Sequence, residues 1–442
     1  MLNKPIGRLA ICILHLSRKI WSLREMGEVE DVVIVGAGIA GLATAVALKR
    51  YGLRALVLER SEGLRATGAG LSLFPNAWLA LEALGVAHKL SPLYSPSTKG
   101  FLTNIQNGAT QEVSMVGSHS GGGPRTVHRK ALLEALAEEL PFDTIRFSSK
   151  IKSIEAQELE GSSIAVLQLE DCAIIKTKIL IGCDGVHSVV ARWLGLTKPV
   201  NSGRWAVRGL AVFPQGHGYA QNVWQYLDVG TRAGFVPLTD KELYWFLATN
   251  NPLPKGEDMT AGNPEQLQRE VIENFAKDFP SKYIDAVRHA DLSTLTMSPL
   301  MLRLPWDVIF GNAHKGTITV AGDAMHPMTP DLGQGGGSSL EDAVVLGRHI
   351  GESVVANGRL VPREAANAIE KYVKERRWRA AWLISGSYIA GWAQQDGSGW
   401  WRKFFRDVVF YRLLFPRLLN AVKYDCGSLT KSCIAAGSKK TE

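Results

Sequence analysis

Two rhythms of apolar residues organise the chain. The run in DVVIVGAG, Asp31 to Gly38, is unbroken, β-branched and stopped by glycine, which predicts a strand buried on both faces. Ile39 to Tyr51 then predicts a helix, and LRALVLER, Leu53 to Arg60, a second strand. PNAWLALEALG predicts a short helix ended by Gly85. In KALLEALAEEL the spacing puts Leu132, Leu133, Leu136 and Leu140 on one helical face. Ile179 to Cys183 and Thr317 to Ala321 predict two further buried strands, the second leading through a glycine-rich turn to a helix from about Ser338. Between them, Trp205 to Asn250 changes to alternation: WAVRGLAVF, NVWQYLDV, RAGFVPL and ELYWFLATN predict an antiparallel sheet with turns at Pro214 to Gly216 and Thr239-Asp240. Asn263 to Ser293 predicts helices that bridge back to the strand–helix units. After Gly391, a stretch rich in aromatics and arginine predicts a helix over Trp400 to Phe415, which packs on the body, caps a pocket or lies on a membrane.

Composition narrows this picture modestly. A chain of 442 residues is too long for one ordinary core. Its net charge of +8 comes from 50 basic against 42 acidic residues scattered along the chain, so nucleic acid is not an expected partner. Cys12, Cys172, Cys183, Cys426 and Cys433 are widely spaced and contain no C-x-x-C, which fits neither a disulfide framework nor a zinc site and points to a reducing compartment. Residues 1 to 24 carry Lys and Arg but no acid; they read either as an organelle transit peptide or as an extension ahead of Met26.

The chemistry begins at the first turn. Gly36, Gly38 and Gly41 make G-x-G-x-x-G: the first allows a tight turn, the second lets backbone approach a pyrophosphate, and the third lets the helix pack close to the strand. The helix would aim its amides at phosphate. Glu59, ending the second strand, can accept hydrogen bonds from the hydroxyls of an adenosine ribose and would repel a 2′-phosphate. NADP is therefore disfavoured here, and NAD and FAD remain. An NAD dehydrogenase would continue with alternating strands and helices, and this chain does not. Instead Asp184-Gly185 and Gly322-Asp323 each follow a buried strand, and Gly333, Gly335, Gly336 and Gly337 precede a helix, leaving bare amides for a flat or anionic ligand. Arg129, entering a helix, is a surface arginine or a cofactor contact.

Three segments, GAGIAGLATAVAL with LERS, GCDGVHSVVARWLG and GDAMHPMTPDLGQGGGSSLEDA, together resemble the FAD-dependent single-component aromatic hydroxylase superfamily, nearest its plant-type monooxygenases similar to salicylate hydroxylases and zeaxanthin epoxidases. The resemblance runs from about Glu30 to Leu383. It implies an α/β (α+β) fold: a Rossmann-like FAD-binding domain of the aromatic hydroxylase type, an antiparallel β-sheet substrate domain and C-terminal helices. Residues 1–29 would be an extension, 30–200 and 301–360 the two parts of the FAD-binding domain, 201–300 the sheet domain and 361–442 a helical region. It also implies non-covalent FAD contacts at Gly36, Gly38, Ala40, Gly41, Glu59, Arg60, Arg129, Asp184, Gly322, Asp323, Pro330, Gly333, Gln334, Gly335 and Gly336. Glu59 would hold the adenosine ribose, Arg129 the flavin side, and Asp323 the ribityl chain. Asp184 would also support transient binding of NADPH or NADH, and Pro330 with Gly333 to Gly336 would lie beside the isoalloxazine. No second nucleotide clamp is evident. Ser338-Ser339, and Val207 before Arg208, depart from the family pattern and leave the substrate open.

The activity implied is insertion of one oxygen atom from O2, through a flavin C4a-hydroperoxide, into a small aromatic or lipophilic metabolite. Hydroxylation, epoxidation and Baeyer–Villiger insertion share the scaffold. Trp224, Tyr226, Phe235 and Trp245 are candidates for the substrate wall, with sheet core as the other reading. His326 is a candidate general base or a structural hydrogen-bonding group. A flavin-binding protein without turnover is the rival function. A monomer or dimer in the cytoplasm is expected, with a plastid or mitochondrion as the alternative. A chain starting at Met26 should bind FAD and turn over like the full one. Loss of FAD binding in the shortened chain, read by flavin absorbance, would show that residues 1 to 25 belong to the fold.

Overall fold

The computed structural model describes residues 29–64, 70–115, 122–159, 162–252, 263–395 and 422–429. The N-terminal segment and the helix expected over Trp400 to Phe415 lie outside these. The mixed α/β architecture expected from the sequence is present, as two large sheets with helices on their outer faces and a two-stranded ribbon of Gly70–Leu73 with Arg125–His128.

The first sheet has a parallel core of five strands, in the order Ile318–Val320, Ile174–Gly182, Val29–Val35, Ala55–Leu58 and Ile145–Arg146. Its central strands are buried apolar runs, as a sheet covered on both faces requires. The strands Ile151–Leu159 and Ser162–Leu169 form a hairpin on the early half of Ile174–Gly182. The helix Ile39–Arg50 is buried from Ile39 through Leu48, and against it lies the helix Gly335–Asn357. Their approach is close because Gly347 faces Ala47 and Gly351 faces the Tyr51 ring; a Cβ at either glycine would collide. The helix Pro75–Leu84 ends at Gly85 in the left-handed conformation (φ 76°), as the sequence predicts.

The second sheet has seven strands, in the order Thr296–Leu302, Val200–Val212, Glu242–Thr249, Thr231–Pro237, Val223–Asp228, Lys99–Asn104 and Thr110–Ser114. The last two come from far upstream, and Lys99–Asn104 runs parallel to Val223–Asp228. Alternation alone predicts an antiparallel sheet, and this one parallel pair departs from it. The helices of 264–288 do not bridge back to the first sheet. Their apolar residues, among them Leu267, Val271, Tyr283, Ile284 and Val287, pack on the far face of the second sheet against Trp205, Phe235 and Trp245.

The helix predicted from about Ser338 starts at Gly335 instead, so Gly335, Gly336 and Gly337 form its first turn. Space is short at two of the three: a Cβ at Gly336 would meet Leu71, and one at Gly337 would sit 3.2 Å from Asn76 Nδ2.

Behind that turn lies an ion cluster joining this helix to Pro362–Gln395, in which Arg376, Glu341 and Asp342 are fully buried. Arg376 meets Asp342 through Nε at 2.6 Å and Glu341 through Nη1 at 2.7 Å, and Arg379 donates twice to Glu341. Arg376→Met would leave two buried carboxylates short of a cation. It should cost roughly 3–5 kcal/mol of unfolding free energy. Urea unfolding checks this, and a loss under about 1 kcal/mol would show that the cluster relaxes around the missing charge.

Candidate active site

Both sheets wall one cavity of about 2230 Å3. On the first-sheet side, the turn after Val29–Val35 passes the end of Ile174–Gly182 so closely that a Cβ at Gly36 (φ +101°) would lie 2.6 Å from the Cys183 carbonyl oxygen. A Cβ at Gly38, in contrast, meets nothing within 4 Å. The space it would enter is the cavity, which is what a backbone built for close approach to a ligand requires. Glu59 stands across this turn, accepting from Ala37 N through Oε2 (2.8 Å) and from Ser61 N through Oε1 (2.9 Å). Those two backbone donors fix the carboxylate at the cavity wall.

Ala40, Arg60, Arg129, Asp184, Asp323, Pro330, Gly333, Gln334, Gly335 and Gly336 also line this cavity. Gly41 and Gly322 do not. Gly41 packs on the Gly36 carbonyl, and a Cβ at Gly322 (φ +62°) would lie 2.8 Å from the Ala40 Cβ. At both positions two turns press together too closely for a side chain.

The two sequence-predicted aspartates differ. Asp184 Oδ2 accepts from Val189 N at 2.6 Å, at the start of the helix Val189–Trp193. Its carboxyl is raised above the ordinary carboxylate range by burial, opposed by hydrogen bonds from Ser188 and Val189. Asp323 is open to the cavity yet deep inside the molecule. Burial raises its pKa too, opposed by the charges of His326, Arg129 and Arg208. A carboxylate aimed into a cavity with cations around it suits donors on a bound molecule.

His326 is not in the cavity. It is wholly buried, with Nε2 at 2.5 Å from Asp342 Oδ2, and its backbone N–H donates to the Gly322 carbonyl. It braces the turn, and this placement removes it as a general base.

The second sheet turns the four aromatic candidates away from the cavity. Trp224, Phe235 and Trp245 are cross-strand neighbours on the face away from the cavity, with Tyr226 beside them, and all four pack against the helices of 264–288 or their neighbours. Position shifted by one residue gives the cavity face: Gln225, Gly234, Phe246 and Arg208 form the next cross-strand row. Arg232, Tyr244, Leu300 and Met301 extend it. Arg232 donates to Gln225 Oε1 (2.9 Å) and to the Asp331 carbonyl (3.1 Å), while Arg204 Nη2 lies 2.7 Å from Asp331 Oδ2. Sequence reasoning missed Asp331, Arg204, Arg232 and Gln225. The available signal was Arg232 itself, a charge within a strand that is buried throughout.

A family described as FAD binding domain matches residues 30–387. Monooxygenase 2 of Arabidopsis thaliana is 42% identical over 409 residues, covering 90% of this chain and 98% of that protein. Monooxygenase 1 of the same plant is 38% identical, covering 90% and 99%. Among solved structures, HpxO of Klebsiella pneumoniae complexed with FAD and uric acid superposes with a TM-score of 0.72 at 23% identity, over 90% of this chain and 98% of that one. The open Gly38, the pinned Glu59 and the inward Asp323 fit FAD.

Asp323→Ala should weaken FAD binding about ten- to a hundredfold while leaving the melting of the apoprotein unchanged, because a charge-assisted hydrogen bond contributes roughly 1.5–3 kcal/mol. Asp184→Ala should instead cost roughly 1 kcal/mol of apoprotein stability through its lost helix-start bond. Fluorescence titration with FAD and apoprotein melting separate the two. Equal FAD loss in both variants would contradict this division.

Proposed function

Because the chain belongs to the FAD-binding-domain family and is an FAD-dependent monooxygenase, we propose that it takes electrons from NADPH or NADH and inserts one atom of O2 into a small aromatic or lipophilic metabolite. One observation carries this reading: the nucleotide turn and a sheet face of mixed apolar and cationic character share one cavity. Bound FAD supplies the redox chemistry and the activation of oxygen.

The chain's own groups do the rest. Gly36 N–H and Ala37 N–H are spent on the Leu58 carbonyl and Glu59, so the Gly38 amide and those of the helix start at Gly335 are the ones offered to phosphate and flavin oxygens. Glu59 receives the ribose hydroxyls. Phe246, Tyr244, Leu300 and Met301 surround the substrate with apolar surface and keep water from the reacting centre, where it would release peroxide unproductively. Arg208 and Arg232 face the same space and offer N–H donors to a phenolate, carboxylate or ring carbonyl of the substrate. The rigid pairing of Arg232 with Gln225 and Asp331 holds its donors in a set direction.

The test is a panel of phenols, heteroaromatic acids and isoprenoid compounds given to the FAD-loaded protein with NADPH or NADH in air. Expected is a compound that speeds nicotinamide oxidation at least tenfold and leaves as a product heavier by one oxygen atom. Tight binding of a panel compound with neither effect would favour a ligand-binding protein without turnover.

A further inference from the structure

A chain of three buried side chains runs from the ion cluster to the cavity, and its polarity is set by a charge. Glu341, on the helix Gly335–Asn357, is fully buried and ion-paired with Arg376 and Arg379. Burial alone would raise its pKa, but Arg376, Arg379 and Asn76 outweigh that and hold it below the ordinary carboxylate range. An ionised carboxylate only accepts hydrogen bonds. Its neighbour Asn76, also fully buried, must therefore turn its amide nitrogen toward it, and Nδ2 lies 2.6 Å from Glu341 Oε1. The second hydrogen of that nitrogen goes to Gln334 Oε1 at 2.9 Å. This spends the acceptor end of the Gln334 amide and leaves Nε2 as its free end.

Gln334 is 1% exposed and lines the cavity, and its Nε2 has no acceptor among the described residues. Asn76 Oδ1 is unpartnered as well, but Asn76 does not line the cavity. A buried donor without a partner is costly, so Nε2 marks a place for an acceptor atom of a ligand. The surroundings are apolar and narrow. A Cβ at Gly333 would lie 3.0 Å from the Phe74 ring, one at Gly336 2.7 Å from Leu71 Cδ1, and one at Gly335 4.0 Å from Met328 Cγ. Such a slot suits a flat ring with a polar edge better than a phosphate. We propose that Gln334 donates through Nε2 to a ring nitrogen or carbonyl oxygen of the flavin, and that Asn76 and Glu341 are positioning residues that forbid the opposite amide orientation. The C-terminal segment supports the same relay: the Val422 carbonyl accepts the Asn76 backbone N–H (3.0 Å), and the Tyr424 ring lies 4.0 Å from the Arg379 guanidinium. The inference rests on the reading of the cavity as the FAD site. Its consequence is a bias in redox poise. Reduction adds electron density to the ring nitrogens and carbonyl oxygens, so a donor fixed there binds the reduced ring more tightly and raises the midpoint potential.

The experiment measures the midpoint potential of the full FAD-loaded chain against a reference dye, with apoprotein melting alongside. Gln334→Met, close in size but without an N–H, should lower the potential by about 30 mV, the equivalent of a tenfold lost preference for the reduced form. Asn76→Leu keeps Gln334 but frees its amide to turn over, and should lower the potential in the same direction by less. Tyr424→Phe, which keeps the ring on Arg379, should match the parent. If one of the first two variants fails to load FAD, the other carries the test. A parental potential in the loaded variants would overturn the proposal, and a lower melting temperature with that unshifted potential would show a merely structural role. A parent chain that takes up no FAD would overturn the cofactor reading as well, a result distinct from a loaded variant whose potential has not moved.

Discussion

One carboxylate, that of Asp342, has to be satisfied where no water reaches. It accepts the Gly322 backbone N–H at 2.8 Å, stands 2.5 Å from His326 Nε2, and pairs with Arg376 Nε at 2.6 Å. Burial alone would raise its pKa, but His326, Arg376 and the Gly322 amide outweigh that and hold it well below the ordinary carboxylate range. An ionised group so placed leaves its neighbours little freedom. The turn bearing Asp323 is bound to the helix Gly335–Asn357 on one side and, through Arg376, to Pro362–Gln395 on the other. Arg303 completes the support: buried, with its pKa drawn down to about 10 by burial, it donates to the Ala324, Met325 and Thr197 carbonyls. Asp323 is thus presented to the cavity from a turn anchored on both sides.

The same logic joins the two walls of the cavity. Asp331 sits in the loop that leads into the glycine turn, and it is held by Arg204 and Arg232 of the second sheet. Both arginines and the carboxylate are almost fully buried, so the pair stabilises only while it stays intact, and removing one partner costs more than the pair contributes. The loop that leads into the glycine turn and the cavity face of the second sheet are therefore tied together. Gly391, near the end of the long helix, packs against this ion pair with no space for a side chain, which links the outer helix to the cavity wall.

Much of this was legible in the sequence because it rests on local backbone demands. Close approach at Gly36 and Gly41, the helix stop at Gly85 and the acid ending the strand at Glu59 each require one residue type at one place. The parallel strands announce themselves as unbroken apolar runs.

The parity of the second sheet was decided by tertiary structure alone. Its strands carry aromatic residues on both faces, so alternation shows that two sets exist without saying which set meets the cavity. The helices of 264–288 settle it by covering Trp224, Tyr226, Phe235 and Trp245, leaving Gln225, Arg208, Tyr244 and Phe246 to face the cavity. Asp331 and Arg232 stand 99 residues apart in the chain. No local pattern links them, because a buried ion pair is selected by the meeting of two surfaces. What the sequence by itself determined is the cofactor turn, whose geometry is set within a few residues. What only the fold decided is the cavity face of the second sheet, whose identity depends on which side of a two-sided sheet the rest of the chain leaves open.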